Sequence, residues 1–400
     1  MALFSFLRKT ENQRCFTETE QERVLKLLRC VAVTSRISVF ILSYSKGEIF
    51  MSKRKITVAD IGATNERWGL YEFDDVAETL VQVGIYQRKT EGKRDFANTL
   101  DVPQYELGVQ FRDCAAAVFA VACPLNNNNV LSFTNNREFQ IDKEATKQAC
   151  GGIPTSFIND GRAQGYGVGM QQKDDYIEIY SGAPDPSEVR VFGIVGAGSG
   201  LLTAHVVLPL DYDGRITVEN AKKVQVLAGE GGHVSFAVNC AKGNQDIRLQ
   251  KCVRGMLSLT QDQYVSVENL ISGEGVARIH YSLNPRSQMM SSRDITKTFD
   301  DDYRCDRMTK TFTYFSKLYA RAVRNIALCP VCTDGMIISG GIAIDHPKLI
   351  QHPVFLKEFH KSPNNDAIPK LLRTIPISLV RNTDFGLQGA AFYALKLLST

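Results

Sequence analysis

Residues 192–207 read Phe192-Gly-Ile-Val-Gly-Ala-Gly-Ser-Gly-Leu-Leu-Thr-Ala-His-Val-Val207, and a later stretch reads Ala228-Gly-Glu-Gly-Gly-His-Val-Ser-Phe236. The first is an apolar run, a turn carrying Gly196, Gly198 and Gly200, and a second apolar run: strand, glycine turn, strand. Such a turn exposes consecutive backbone N–H groups, and the missing Cβ atoms let an anion come close. The second puts Glu230 and His233 three residues apart among glycines, where a carboxylate and an imidazole reach one small polar ligand. A phosphate cradle followed by a sugar-sized polar cluster points to phosphoryl transfer.

The pattern occurs twice. Ile56-Thr-Val-Ala-Asp-Ile-Gly-Ala-Thr-Asn-Glu-Arg-Trp-Gly-Leu-Tyr71 is again a buried-type strand, a tight turn and a second strand. Thr64 offers a hydroxyl and the turn offers N–H groups, which suits a polyphosphate. Asp60, at the strand end, is able to orient a metal-bound water. Two such units, one in each half of the chain, are expected where two similar domains face a nucleotide from opposite sides.

Length and composition set the frame. A chain of 400 residues exceeds one typical core, so two domains are expected. Apolar content of 44% and charged content of 22% are ordinary for a globular protein. The net charge of +4 is concentrated at the start: residues 1–50 hold eight Lys/Arg against five Glu, leaving 39 against 38 for the remainder. That balance argues against nucleic-acid binding. No apolar run approaches the roughly 18 residues of a membrane span. The ten Cys are scattered through apolar or mixed segments and read as reduced thiols. Cys329-Pro-Val-Cys332 is the only close pair and lacks the second pair or His that a structural zinc requires.

Residues 1–50 stand outside this pattern. Thr17 to Glu20 forms a capping-box pattern, with Val24, Leu27, Leu28 and Val31 following at helical spacing. The stretch reads as a dispensable extension, and its placement of apolar residues is not that of a secretory signal. Further on, residues 114–123 read as a fully buried strand ended by Pro124, and residues 142–150 as a short helix capped by Asp142 and stopped by Gly151-Gly152. Ser156-Phe-Ile-Asn159-Asp160 is a strand ending in an amide and a carboxylate ahead of a helix. Ligands of open α/β sheets gather at strand carboxyl ends, which suits Asp160 for chemistry; the plainer reading is a helix cap. Glu268 precedes a helical turn ended by Gly273. Residues 171–189 and 208–226 read as surface insertions, 283–304 as exposed, and 308–328 as a long helix. Asp334 to Ile344 reads as a buried strand entering a Gly340-Gly341 turn, and residues 384–395 as a small-residue helix able to pack closely.

Taken in order, Ala59-Asp-Ile-Gly-Ala-Thr-Asn-Glu-Arg67, Ala122-Cys-Pro with Thr134-Asn135, Ile158-Asn-Asp160, Gly196-Ala-Gly-Ser-Gly-Leu201, Gly229-Glu-Gly-Gly-His-Val234, Glu268 with Ser272-Gly273, Ser339-Gly-Gly-Ile342 and Gly386-Leu-Gln-Gly-Ala390 form a series. That series resembles the bacterial-type glucokinases of the actin-like, sugar-kinase ATPase superfamily, over roughly residues 55–397. The resemblance implies an α/β fold of two actin-like (ribonuclease H-like) domains with the ligands in the cleft between them. The smaller would be 54–160 plus 384–400 and the larger 161–383, after an extension of 1–53. It implies transfer of the ATP γ-phosphoryl group to the 6-hydroxyl of glucose, with Asp160 as the base. Asn135, Asn159, Asp160, Glu230, His233 and Glu268 would hold the sugar. Asp60, Gly62, Thr64, Asn65, Gly198, Ser199, Gly200, Gly340 and Gly341 would serve ATP. Mg²⁺ would arrive with ATP, and no residue is assigned as its ligand. A homodimer through the larger domain and a cytoplasmic location are further expectations.

The sequence departs from the family at Ala63 and Leu202, which stand where glycines are usual, and at Glu66, where a small neutral residue is usual. A carboxylate there repels phosphate if it points inward. Two other readings follow: a hexose-binding regulator without turnover, against which stands the missing DNA-contact module, and a kinase for another hexose.

Overall fold

The computed structural model describes residues 44–45, 48–49, 53–90, 95–125, 128–133, 136–170, 173–184, 188–240, 245–285, 288, 290–299, 305–362 and 366–399. The chain divides at Lys53/Arg54. Before that point the described residues are a short antiparallel pair, β1 (Tyr44–Ser45) and β2 (Glu48–Ile49). The helical spacing read at Val24 to Val31 lies outside the described residues.

From Arg54 onward two sheets repeat one topology. In the first, β3 (Arg54–Ile61), β4 (Asn65–Asp74) and β5 (Thr79–Lys89) form an antiparallel meander. Then β6 (Ala116–Val121) and β9 (Thr155–Asn159) join in parallel, giving the order β5-β4-β3-β6-β9. A side hairpin, β7 (Val130–Phe133) with β8 (Asn136–Asp142), stands apart.

The second sheet is built alike. β11 (Val189–Ala197), β12 (Leu201–Pro209) and β13 (Gln225–Gly229) form its meander. Then β14 (Gly335–Ser339) and β15 (Ile377–Val380) run parallel to β11. One further edge strand, β10 (Tyr176–Tyr180), pairs with β15. The two glycine turns thus join the first two strands of each sheet.

Burial follows from the strand patterns. Every residue of β6 and β14 is buried, as both faces of a central parallel strand require. One face of the first sheet packs on an aromatic cluster in which Trp68 stacks on Phe96 and Phe111, each at 5.9 Å. The other face meets the second sheet through a shared core that includes Ile56, Val58, Ile194, Ala204 and Val206. Helix Asp160–Met170 and helix Phe385–Ala394 belong to that shared layer. They are small-residue helices for a visible reason: a Cβ on Gly389 would overlap the Ala163 carbonyl, so the two backbones touch directly. The outer face of the second sheet is covered by helices that include Asp306–Ala327, whose Phe312, Phe315, Tyr319 and Val323 recur at helical spacing and are buried.

Four sequence expectations change. The stretch 171–189 holds β10, whose Tyr-Ile-Glu-Ile-Tyr run was masked by its Asp- and Pro-rich flanks. The stretch 208–226 holds the end of β12 and helix Val218–Lys223, capped by Thr217. Gly273 opens helix Gly273–Leu283 rather than ending a turn, because Ser272 caps it by accepting the Gly275 N–H at 3.2 Å. Within 283–304, helix Ser292–Thr296 buries Ile295, and Phe299 is also buried.

Candidate active site

The first turn is closed by the Gly62 N–H donating to Asn65 O at 2.9 Å. Thr90, just past β5, braces it from outside: its hydroxyl donates to Gly62 O at 2.8 Å and its N–H to Thr64 O at 3.0 Å. Thr64 and Asn65 remain exposed. Asp60 lies across the ladder from Arg67, whose guanidinium also donates to Thr383 O at 2.6 Å. Burial pushes the Asp60 carboxyl up, Arg67 pulls it back, and the Asp384 charge raises it again. The terminal helix closes on this spot, since a Cβ at Gly386 would lie 3.2 Å from Asp60 Oδ2.

The three departures from the family pattern each find a place. Glu66 pairs with Ile61 across the ladder, so it projects from the sheet face opposite Asp60. It is only 2% exposed, and Oε2 accepts from Arg88 Nε at 2.6 Å and Trp68 Nε1 at 3.2 Å. Its charge therefore lies on the sheet face turned away from Asp60. The Ala63 carbonyl accepts from Asn136 Nδ2 at 3.2 Å. Leu202, opposite Gly196 in the ladder, packs against the core between the sheets.

The second turn is closed by the Gly198 N–H donating to Gly200 O at 2.8 Å, while Gly273 N–H donates to Gly198 O at 2.8 Å. Gly340, with φ of 81°, lies so close that a Cβ would come within 2.7 Å of Ala197 N. The structure thus brings the Gly198-Ser199-Gly200 and Gly340-Gly341 turns together. Ser339 Oγ ties them to helix Asp160–Met170 by donating to Gln164 Oε1 at 2.6 Å.

The acid-rich cluster assembles from three places. At the end of β9, Asn159 Oδ1 and Asp160 Oδ1 both accept the Gly161 N–H at 2.9 Å, and Asn159 Nδ2 donates to Cys123 O at 3.3 Å. The Asp160 carboxyl is pushed up to about 7, first by burial, then by the Asp60 charge, with Glu230 adding to it and the Gly161 N–H opposing it. Cys123 sits in the same neighbourhood: burial, with Asp160 and Glu230 nearby, lifts its thiol to about 12. Glu230 Oε2 lies 3.7 Å from His233 Nε2, and both side chains are about half exposed. Glu268 Oε2 accepts the Leu201 N–H at 2.8 Å, and the Glu268 N–H donates to Gly232 O at 2.8 Å. Asn159, Asp160, Glu230, His233 and Glu268 are thus gathered around the beginning of β12. Asn135 lies outside the described residues.

Several positioning groups went unread in the sequence. Thr90, Gln164 and Thr203 carry no motif; a hydroxyl within an apolar strand is the one signal Thr203 offers. No group of three or more His, Cys, Asp or Glu among the described residues is arranged to hold a metal ion. Cys332 is buried and Cys329 exposed, and both are free thiols. No helix among the described residues is long and apolar enough to cross a membrane.

Comparison with known proteins fits this arrangement. A glucokinase family model matches residues 57–397. The chain is 30% identical over 366 residues to the glucokinase of Nostoc punctiforme, covering 86% of this chain and 99% of that protein. It is similar to the solved structure of Balamuthia mandrillaris glucokinase in complex with glucose, with a TM-score of 0.69, 19% identity, and coverage of 94% of this chain and 98% of that one. It is also similar to a glucokinase from an Antarctic psychrotroph, with a TM-score of 0.66, 22% identity, and coverage of 86% and 99%. The structural likenesses carry the fold, which is the actin-like ATPase fold. The family match and the sequence relatives carry the rest: the chain belongs to the glucokinase family.

Proposed function

We propose that this chain transfers the γ-phosphoryl group of ATP to the 6-hydroxyl of glucose, with Asp160 as the base. One observation carries the reading: a carboxyl held near neutrality lies among the acid and imidazole side chains expected to grip a hexose. A primary alcohol is a poor nucleophile, and water competes for the phosphoryl group. A base with a pKa near 7 is about half ionised at neutral pH and basic enough to take the hydroxyl proton, an assistance typically worth about 10² to 10⁴-fold. Asn159, Glu230, His233 and Glu268 orient the sugar, and discriminate among hexoses because a misplaced hydroxyl leaves a buried partner unsatisfied. Asn135 is proposed with them on the family pattern alone.

The first turn (Asp60, Gly62, Thr64, Asn65) and the second (Gly198, Ser199, Gly200) hold the phosphates from opposite sheets, and Gly340-Gly341 lies toward the adenosine. Mg²⁺ comes with ATP and neutralises phosphate charge. Two neighbouring carboxylates, Asp60 and Asp160, fit a cation close by, and Asp60 would orient its water shell. The body is taken as two lobes, 54–160 with 384–400 and 161–383, closing on the ligands to exclude water. Support for this comes from the repeated sheet topology. A cytoplasmic location and a homodimer complete the reading.

The test is a coupled kinase assay on the full chain with ATP-Mg²⁺ and a panel of hexoses, beside Asp160→Ala. Turnover of glucose, abolished in the variant while glucose still binds, supports it. Glucose binding without turnover in the unaltered chain overturns it.

A further inference from the structure

The strand that leaves the second glycine turn also carries the fastenings of the sugar cluster. Thr203 lies three residues beyond Gly200, is 3% exposed and pairs with Gly229 in the β12–β13 ladder. Its hydroxyl bonds on both sides of Glu230. It donates to Gly229 O at 3.0 Å and accepts the Gly231 N–H at 2.9 Å. Gly231 closes so tightly on it that a Cβ there would come within 2.8 Å of Thr203 Oγ1. The Glu230 side chain accepts no capping bond from the turn that follows; the residue sits at φ −98° and ψ 40°, and its side chain is half exposed. Its backbone carbonyl accepts the His233 N–H at 2.9 Å, and the peptide groups on either side of it are held by the one Thr203 hydroxyl that spans it. The Thr203 carbonyl in turn lies against Gly161, the residue after Asp160.

We propose that Thr203 is a positioning residue that sets the direction of Glu230 toward the hexose. This rests on the reading of Glu230 as a sugar ligand. Thr203 does not touch sugar; it acts through the Gly229 and Gly231 peptide groups. Valine at this position keeps the shape of threonine, removes the clamp and leaves the Gly229 carbonyl and the Gly231 N–H without that partner. Serine keeps the hydroxyl.

The experiment compares the full chain with Thr203→Val, Thr203→Ser, Glu230→Ala and the double variant Thr203→Val/Glu230→Ala. Glucose affinity is measured by calorimetry, and kcat and KM are measured for glucose and ATP. Thr203→Val is expected to raise the glucose Kd and KM by roughly 10-fold, with ATP KM and kcat within about threefold of the parent. Thr203→Ser is expected to restore glucose affinity to within about threefold. In the Glu230→Ala background, Thr203→Val is expected to add less than about twofold. Parent-like glucose affinity in Thr203→Val overturns the proposal. So does equal damage from serine, or the same factor of loss in the Glu230→Ala background. If the valine chain does not fold, Thr203→Ala carries the same comparison. Parent-like glucose affinity in Glu230→Ala removes the sugar role of Glu230 and this proposal with it. Weakened glucose binding in Glu230→Ala beside an unaffected Thr203→Val removes this proposal alone.

Discussion

Glu66 and Arg88 meet at 2.6 Å on the sheet face turned away from Asp60, one on β4 and the other on β5. Both are largely buried, at 2% and 12% side-chain exposure, and Arg88 reaches on to Thr99 through its carbonyl at 3.1 Å and its hydroxyl at 2.8 Å. The pair thus fastens the 97–99 turn to the sheet. Replacing Arg88 by Met removes the guanidinium from a buried carboxylate. That is expected to cost about 3–5 kcal/mol of stability, read by denaturant unfolding. ATP KM is expected to stay within about threefold, because Glu66 faces away from Asp60 and from the turn proposed to hold phosphate. A large rise in ATP KM with unchanged stability would contradict the placement.

Asp160 gives a pH signature. Its folded pKa of about 7 lies above the ordinary 3.8. As the base, it must be ionised, so kcat/KM for glucose is expected to fall as pH drops through about 7, approaching a tenfold loss per unit below it. The stability contribution runs the other way. A carboxyl with a raised folded pKa favours folding fully below its unfolded pKa, and that contribution is lost as pH rises through about 7. Asp160→Asn is therefore expected to be inactive yet more heat-stable than the parent at pH 8, with the difference shrinking toward pH 4. Parallel thermal melts across this range check it.

Glu268 is engaged through Oε2 by the Leu201 N–H. Glu268→Gln preserves shape and leaves an oxygen for that bond, but exchanges the other acceptor for a donor. Glucose KM is expected to rise by roughly 10- to 100-fold, with ATP KM little changed. Initial-rate kinetics with each substrate varied in turn decide it.

Gly389→Ala drives a methyl group into the Ala163 carbonyl and to 2.5 Å from Gly167 N. The expected cost is about 3 kcal/mol or more, because helix backbone rather than a flexible side chain must give way. A melting temperature within a degree of the parent would show that the two helices are not so closely joined.

How much of this was open to a reader of the sequence depends on distance along the chain. The two glycine turns and the Gly-Glu-Gly-Gly-His segment are local chemistry, and they stand where they were read. The Asp142 cap held as well, accepting the Ala145 N–H at 2.8 Å. The direction of Glu66 was beyond reach, since its partner lies 22 residues away on a strand that no motif marks. The edge strand β10 was hidden because its pairing with β15 joins residues some two hundred positions apart. Gly273 was misread because one glycine serves both to stop a helix and to start one, and only Ser272's hydroxyl decides between them. Thr203 looked like any threonine in a buried strand; its importance lies in which peptide groups it meets.

Helix Asp160–Met170 has one more consequence. Gly165 lies against Val226 of the second sheet, and Gly167 against Phe385 at the head of the terminal helix. Any replacement adds a Cβ, and at these two positions there is no room for one. At these two glycines the helix is therefore closed to gradual adjustment: no amino-acid change makes them slimmer, and each makes them thicker. Around the same site, Glu230 and His233 differ in kind: their side chains are about half exposed and have space to change.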